Sequence, residues 1–481
     1  MSLPIKAITN PKLRLEVLTP EEVRKIHDAT LWIIEKVGIR FPSRKALEIW
    51  AAHGAEVDHE RMIVRARPEL IEQALKTCPP AYTLCARDPS QDLPLDGNHV
   101  FVGTDGCGVE VLDVETGARR TSTLRDVAEI ARVADATPEV AFHWVPVSAQ
   151  DMPPETRSLH ELKVIWENST KHVQTESIYN EREARAAIEM AALIAGGREE
   201  LRKRPVLSLM QCSTPPLGHD GGSLEAALVA AEAGVPTGFM TMAANLTTGP
   251  ATLAGNLALG NAEVIAATAL LQLAYPGAPV FYAAAQTASD PRTGAYTGGG
   301  PEDFLYGAAQ NALADFYNIP LSMGSFATGA KEPNWQAGVE NSLSTFMASV
   351  VMSDMLLGVG LLHGSRIWSY AQMMLDCEIF SIIHKMMQGI VVDEETLALE
   401  TIAAVGPSGN FLTQKHTLKH MREIFVPQFM DRRPYNEWEA KRDDARDWAL
   451  AKARKILAEH QPEPLDPKLS TELGKIIEKA A

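Results

Sequence analysis

The sequence predicts an α/β protein: a closed (β/α)8 barrel of the TIM type, with a helical region before it and a helical extension after it. Three observations predict this. Short apolar runs of parallel-strand type recur eight times between residues 100 and 362. Helical segments separate them, and such alternation calls for parallel pairing through right-handed crossovers. The stretches after the runs are polar and glycine-rich, in the place where a barrel carries its chemistry.

Residues 1–20 read as an extended arm. Thr19-Pro20-Glu21-Glu22 then starts a helix, with a hydroxyl at the N-cap and proline in the first turn. Further helices are expected over Ser43–His53 and Pro68–Thr77, so residues 1–90 form the N-terminal helical region. The barrel spans 91–372. Its strands are Val100–Thr104, Val140–Val147, His172–Ser177, Val206–Cys212, Pro236–Met242, Val280–Ala285, Pro320–Ser325 and Leu356–Leu362. Between them lie helices such as Leu124–Ala134, Glu181–Ile194, Gly222–Ala233, Ala251–Ala274, Glu302–Tyr317 and Gln336–Ser353. An open doubly wound sheet is the competing architecture. Against it, Gly103-Thr104-Asp105-Gly106-Cys107-Gly108 leads into a hairpin-like VEVLDVETGARR, not into the helix that a dinucleotide-binding turn requires. Residues 373–481 form a charged helical extension, with a glycine-rich loop at Gly406–Leu412.

The 45 basic and 61 acidic side chains give a net charge of −16, which argues against a nucleic-acid or anionic-membrane surface. The five cysteines are scattered without a C-x-x-C pair, so neither a disulfide framework nor a thiolate metal site is expected. The N-terminus lacks the apolar core of a signal peptide, and no uninterrupted apolar stretch reaches spanning length. A cytoplasmic protein is expected. His416 and His420 share one helix face, but without a Glu-x-x-His context they read as structural, and no intrinsic metal is expected.

The strand ends offer the candidate site residues. Asp105 and Glu176 could be an acid/base pair or could hold loop amides. Cys212 could be a nucleophile or a packed thiol. Phe326, Trp335, Trp144, Tyr282 and Trp368 supply rings for a cage around a quaternary ammonium, which π faces attract without hydrogen bonds. Each could equally pack between strand and helix. Arg366 and Lys331 could anchor a carboxylate at the far end of such a substrate; Arg366 could instead pair with Asp105. No nucleophile elbow, P-loop or His-Glu-x-x-His occurs.

A combined pattern over Leu246–Phe304 resembles the trimethylamine methyltransferase family. It consists of Gly249–Gly255, Asn261–Val264, Pro276–Val280, Asp290–Ala295 and Gly300–Glu302. Asp431–Trp438 also looks like that family's C-terminal signature. The resemblance implies methyl transfer from a methylated amine to the cobalamin of a corrinoid-binding partner protein. The chain has no pyrrolysine and so is similar to the branch associated with glycine betaine and other quaternary amines. His363 and Glu176 are then the catalytic candidates, and Asp105, Gln286 and Asn245 are the candidates for the corrinoid side. A homo-oligomer is expected. One departure stands out: in Ala327–Gly338, Gly329 and Asn334 stand where acidic residues are expected. The alternatives are a tertiary-amine or other methylated-substrate demethylase on the same fold, and a catalytically silent betaine-binding protein.

Overall fold

In the computed structural model, which describes residues 4–9 and 15–481, eight parallel strands close into a barrel. They are β1 (His99–Thr104), β2 (Phe142–Trp144), β3 (His172–Thr175), β4 (Leu207–Cys212), β5 (Thr237–Thr241), β6 (Val280–Ala284), β7 (Leu321–Gly324) and β8 (Met355–Val359). Closure comes from β8 on β1, with Met355 opposite Phe101 and Leu356 opposite Val102. A wall helix follows each strand: α1 (Leu124–Asp135), α2 (Arg157–Asn168), α3 (Glu181–Ala195, with the short helix Arg198–Lys203 after it), α4 (Gly221–Ala233), α5 (Leu253–Ala274), α6 (Pro301–Tyr317), α7 (Trp335–Val350) and α8 (Tyr370–Met387). The expected barrel is therefore present, strand for strand.

The side-chain alternation of a strand decides what the barrel holds. Phe101, Phe142, Met210, Met240, Phe281, Ala283, Met355 and Leu357 pack together in the interior. Leu84, Leu93 and Leu95 join them from the hairpin Tyr82–Leu84/Leu93–Leu95, which plugs the end where the strands begin. The opposite end, above Trp144 and Cys212, stays open to the strand-end loops.

α5 is long and apolar enough to cross a membrane, yet it is buried in the barrel wall. The N-terminal helices Pro20–Trp32, Arg44–Ala52 and Pro68–Leu75 cover its outer side, which explains why it is apolar all round. The N-terminal region is not purely helical. Ile39–Arg40, Glu56–Asp58 and Ile63–Arg65 form a small antiparallel sheet. Of the expected extended arm, Ile8–Thr9 pairs with the start of β1, while residues 1–3 and 10–14 lie outside the described residues.

At the other end, the expected division at residue 372 falls inside α8, which packs as the barrel's eighth helix. The final helices, Ala445–Glu459 and Pro467–Ala480, return to the barrel wall. The first lies on α8 and α1, the second on α2 and α3. VEVLDVETGARR forms the expected hairpin, Glu110–Leu112 with Arg119–Thr121.

Candidate active site

Counting by twos along the strands builds the open end. Asp105 follows Phe101 and Gly103, Trp144 follows Phe142, and Cys212 follows Met210, so all three face inward above the packed layer. Glu176 follows Gln174, whose amide oxygen accepts from the Ser208 hydroxyl inside the barrel. Gly106 permits this crowding, because a Cβ there would overlap the Trp144 indole.

A cavity of about 250 Å3 lies between these strand ends, lined by Cys107, Glu176, Tyr179, Cys212, Ser213, Thr214, Asp220 and Ser223. It contains no lysine, arginine or histidine. A larger groove, about 600 Å3, lies at the opposite end of the barrel, between Tyr82, Arg202 and Tyr275. It is remote from the inward carboxyls and belongs to the end that reads as structural in barrels of this type.

Glu176 is the centre of the open end. The Cys107 thiol donates to its Oε1 at 2.6 Å, and its Oε2 is buried without a hydrogen bond. Burial, reinforced by Asp105 and Glu161, pushes this carboxyl up to about 8, so it is a neutral acid at pH 7. The indole Nε1 of Trp144 is also buried without a partner, close enough to favour the Glu176 carboxylate slightly but outside hydrogen-bond geometry.

Asp105 is fixed by the Ser365 hydroxyl at 2.5 Å and by the Gly106 amide at 2.9 Å, and burial lifts its carboxyl to about 6. Glu161 on α2 accepts from the Ala149 amide, keeps its other oxygen unpaired, and is pushed by burial to about 7. The thiols are not nucleophiles at neutral pH. Burial, then the Glu176 charge, raises Cys212 to about 12, and Cys107 is raised as well. Cys212 is thus a neutral thiol of the wall.

Two tyrosines stand over the acids. Tyr179, after β3, lines the cavity. Tyr296, from the glycine-rich loop between β6 and α6, lies over Gly364, whose φ of +61° and missing side chain let the ring approach. Burial and then the Asp303 and Asp105 carboxylates raise its phenol, although 45% of the residue is exposed. Cys107, Tyr179, Tyr296 and Glu161 were not among the candidates. Glu161 sits mid-helix, and the others depend on loops folding back, for which strand spacing gives no signal.

The remaining candidates disperse. Tyr282 and Gln286 have the opposite strand phase to Phe281 and Ala283, so they face the helices. Tyr282 donates to Asn261 at 3.1 Å, and Gln286 bridges the Asn256 carbonyl and Gln310. Asn245 braces its loop against the Pro250 carbonyl and Tyr306. Phe326 is fully buried; its φ of +49° turns it into the strand–helix layer. Trp368 is buried beneath Gly360 and beside Tyr370. Trp335, the first residue of α7, is 82% exposed.

His363, Arg366 and Lys331 gather on the outer rim, away from the cavity lining. Burial, then Lys331 and Arg366, lower the His363 imidazole and keep it neutral at pH 7. The Lys331 ammonium donates to the Gly329 carbonyl, Arg366 is exposed, and Asp105 takes Ser365 as its partner.

The family profile for trimethylamine methyltransferase matches residues 1–481. A trimethylamine methyltransferase from Desulfitobacterium hafniense is 35% identical over 460 residues, covering 95% of this chain and 92% of that one. A glycine betaine methyltransferase from another strain of that species is 34% identical, covering 96% and 97%. Among solved structures, the monomethylamine methyltransferase of Methanosarcina barkeri shares the fold, with a TM-score of 0.53, 11% identity and 92% of each chain covered. With an acid-lined, ring-flanked cavity at the open end of its barrel, the chain belongs to the trimethylamine methyltransferase family and is a methyltransferase.

Proposed function

We propose that this protein transfers a methyl group from a quaternary amine, glycine betaine or a similar betaine, to the cob(I)alamin of a corrinoid protein. The observation that supports this best is the cavity at the strand ends. Acid, hydroxyl and thiol groups line it, Tyr179 walls it, and none of its lining side chains is basic. Such a surface suits a methylated ammonium, whose charge is drawn to ring faces and lone-pair oxygens without donating hydrogen bonds. About 250 Å3 accommodates a small amine, and leaves the corrin ring to approach from the open end. The 34% identical glycine betaine methyltransferase adds support for the substrate class. Any carboxylate on the substrate would have to point outward, toward the rim that carries Arg366 and Lys331.

The partner's reduced cobalt supplies the nucleophile. The residues of this chain hold the nitrogen against Tyr179 and Glu176, exclude water, and aim one methyl outward. A quaternary nitrogen leaves as a neutral tertiary amine and needs no proton. One observation favours a second reading, a tertiary amine: Glu176, neutral at pH 7, could give its proton to a leaving secondary amine.

The test is methylation of free cob(I)alamin by the purified protein, with glycine betaine, tetramethylammonium or trimethylamine as donor. Wild type is expected to use a quaternary donor, and Glu176→Gln to retain most of that turnover. Activity confined to trimethylamine and lost in Glu176→Gln would replace the first reading with the second. No turnover of any methylated amine would overturn both.

A further inference from the structure

The segment between α8 and Ala445–Glu459 is built unlike the rest of the chain. Its helices Glu394–Leu397, Leu399–Val405, Lys415–His420 and Tyr435–Ala440 bury no side chain. Between them only Phe429 is buried, with its amide and that of Gln428 donating to Glu378 on α8, so the helices themselves rest on little apolar contact and a further staple would hold them.

His416 and His420 stand one turn apart on the third of these helices, their ring centroids 4.3 Å apart. Both turn Nε2 toward Glu395, which lies 21 residues before the first of them. His416 Nε2 is 3.1 Å from the Glu395 carbonyl oxygen, and His420 Nε2 is 3.1 Å from Glu395 Oε1. One ligand atom from each of the three residues falls within 4.8 Å of the others. The far nitrogen of His420, Nδ1, donates to Glu423 Oε1 at 2.7 Å.

We propose that Glu395, His416 and His420 form a binding site for a divalent metal of the zinc class, which staples the first of these helices to the third. Two imidazole nitrogens and a carboxylate oxygen are a donor set that zinc accepts, with water completing a tetrahedron. Glu423 supports the site from behind: a carboxylate on the outer nitrogen of a ligating histidine fixes the tautomer that leaves Nε2 free for the ion. Lys419 donates to Glu395 Oε1 at 2.7 Å, so one cation already sits where the metal would. Its side chain is 63% exposed and can swing into solvent when a divalent ion takes over. His416 would exchange the Glu395 carbonyl oxygen for the ion. The sequence showed the histidine pair without a third ligand because Glu395 reaches it only through the fold of the segment.

The test uses the full chain, stripped with a chelator, reloaded with ZnCl2 and desalted. Elemental analysis is expected to find about one zinc per wild-type chain, with affinity reduced about 10–100-fold in Glu423→Gln and by more in His416→Ala and in Glu395→Gln. Cobalt(II) in place of zinc should give the visible spectrum of a tetrahedral site in wild type only. Zinc should also slow tryptic cleavage between residues 388 and 444 in wild type and leave the rate unchanged in His416→Ala. Far-UV circular dichroism checks that each variant keeps the barrel. Zinc retention in a His416→Ala/His420→Ala double variant equal to wild type would overturn the proposal. So would a bound ion that leaves cleavage of the segment unaffected.

Discussion

Glu176 shows what one buried group does to the molecule. Its carboxyl lies at about 8 in the fold against an ordinary value of 4.5, because burial disfavours the charge. The native state therefore binds this proton more tightly than the unfolded chain. Stability from the neutral acid is complete below about pH 4.5 and is lost as pH rises through about 8. Glu176→Gln keeps the shape and removes the titration. Relative to wild type it is expected to gain about 2–4 kcal/mol between pH 5 and pH 9, because wild type loses about 1.4 kcal/mol for each pH step over which only the folded state keeps the proton. Urea titrations at both pH values measure this, and a difference independent of pH would show that Glu176 is not held neutral.

Binding follows the same sign. A quaternary cation stabilises the ionised form, so its affinity should rise as pH approaches 8, with proton release, and the slope should vanish in Glu176→Gln. Calorimetry in two buffers of different ionisation enthalpy reads the proton directly. Among the candidates, Asp105, Trp144 and Glu176 could be found from their strand positions, because inward phase is a property of spacing. Tyr282 and Gln286 fail by the same rule: each is one residue out of step with Phe281 and Ala283.

At the scale of elements, the barrel was legible because every strand and helix carries its own period, and the barrel needs only that they alternate. The loops carry no period. Tyr296 comes against Gly364 because Gly294, Gly298 and Gly299 adopt positive φ and fold the loop back over it. Trp335 looked like part of a cage because it follows a strand, yet Asn334 caps α7 and leaves the ring in solvent. The two aromatics should therefore separate in a binding assay. Tyr296→Phe is expected to leave tetramethylammonium affinity nearly unchanged, whereas Tyr296→Ala should weaken it by about 0.5–2 kcal/mol, the worth of one ring face. Trp335→Ala should change neither affinity nor melting temperature. Weakening by Trp335→Ala equal to that by Tyr296→Ala would move the cation site to α7.

At the scale of the whole molecule, the chain closes on itself twice. The N-terminal helices cover α5, and the last two helices cover α8, α1, α2 and α3. Composition signalled a charged helical tail, but not that it returns to the wall, since Leu473, Ile477 and Ala480 look like any amphipathic stripe until their partners are known. Between α8 and Ala445–Glu459 the chain makes an excursion anchored by Phe429 alone, with Ile390, Val392, Leu412 and Val426 each more than 70% exposed. Local opening costs least where few apolar contacts are lost. With metal removed by chelator, trypsin should cut first between residues 388 and 444, at sites such as Lys415 or Arg422. The nicked chain should still elute from gel filtration as the intact protein does, because Ala445–Glu459 and Pro467–Ala480 remain docked on four barrel helices. Its near-UV circular dichroism should stay native, and denaturing electrophoresis should resolve two fragments. Separation of those fragments under native conditions would mean that the final helices need the excursion to hold them, and that residues 388–481 fold as one unit apart from the barrel.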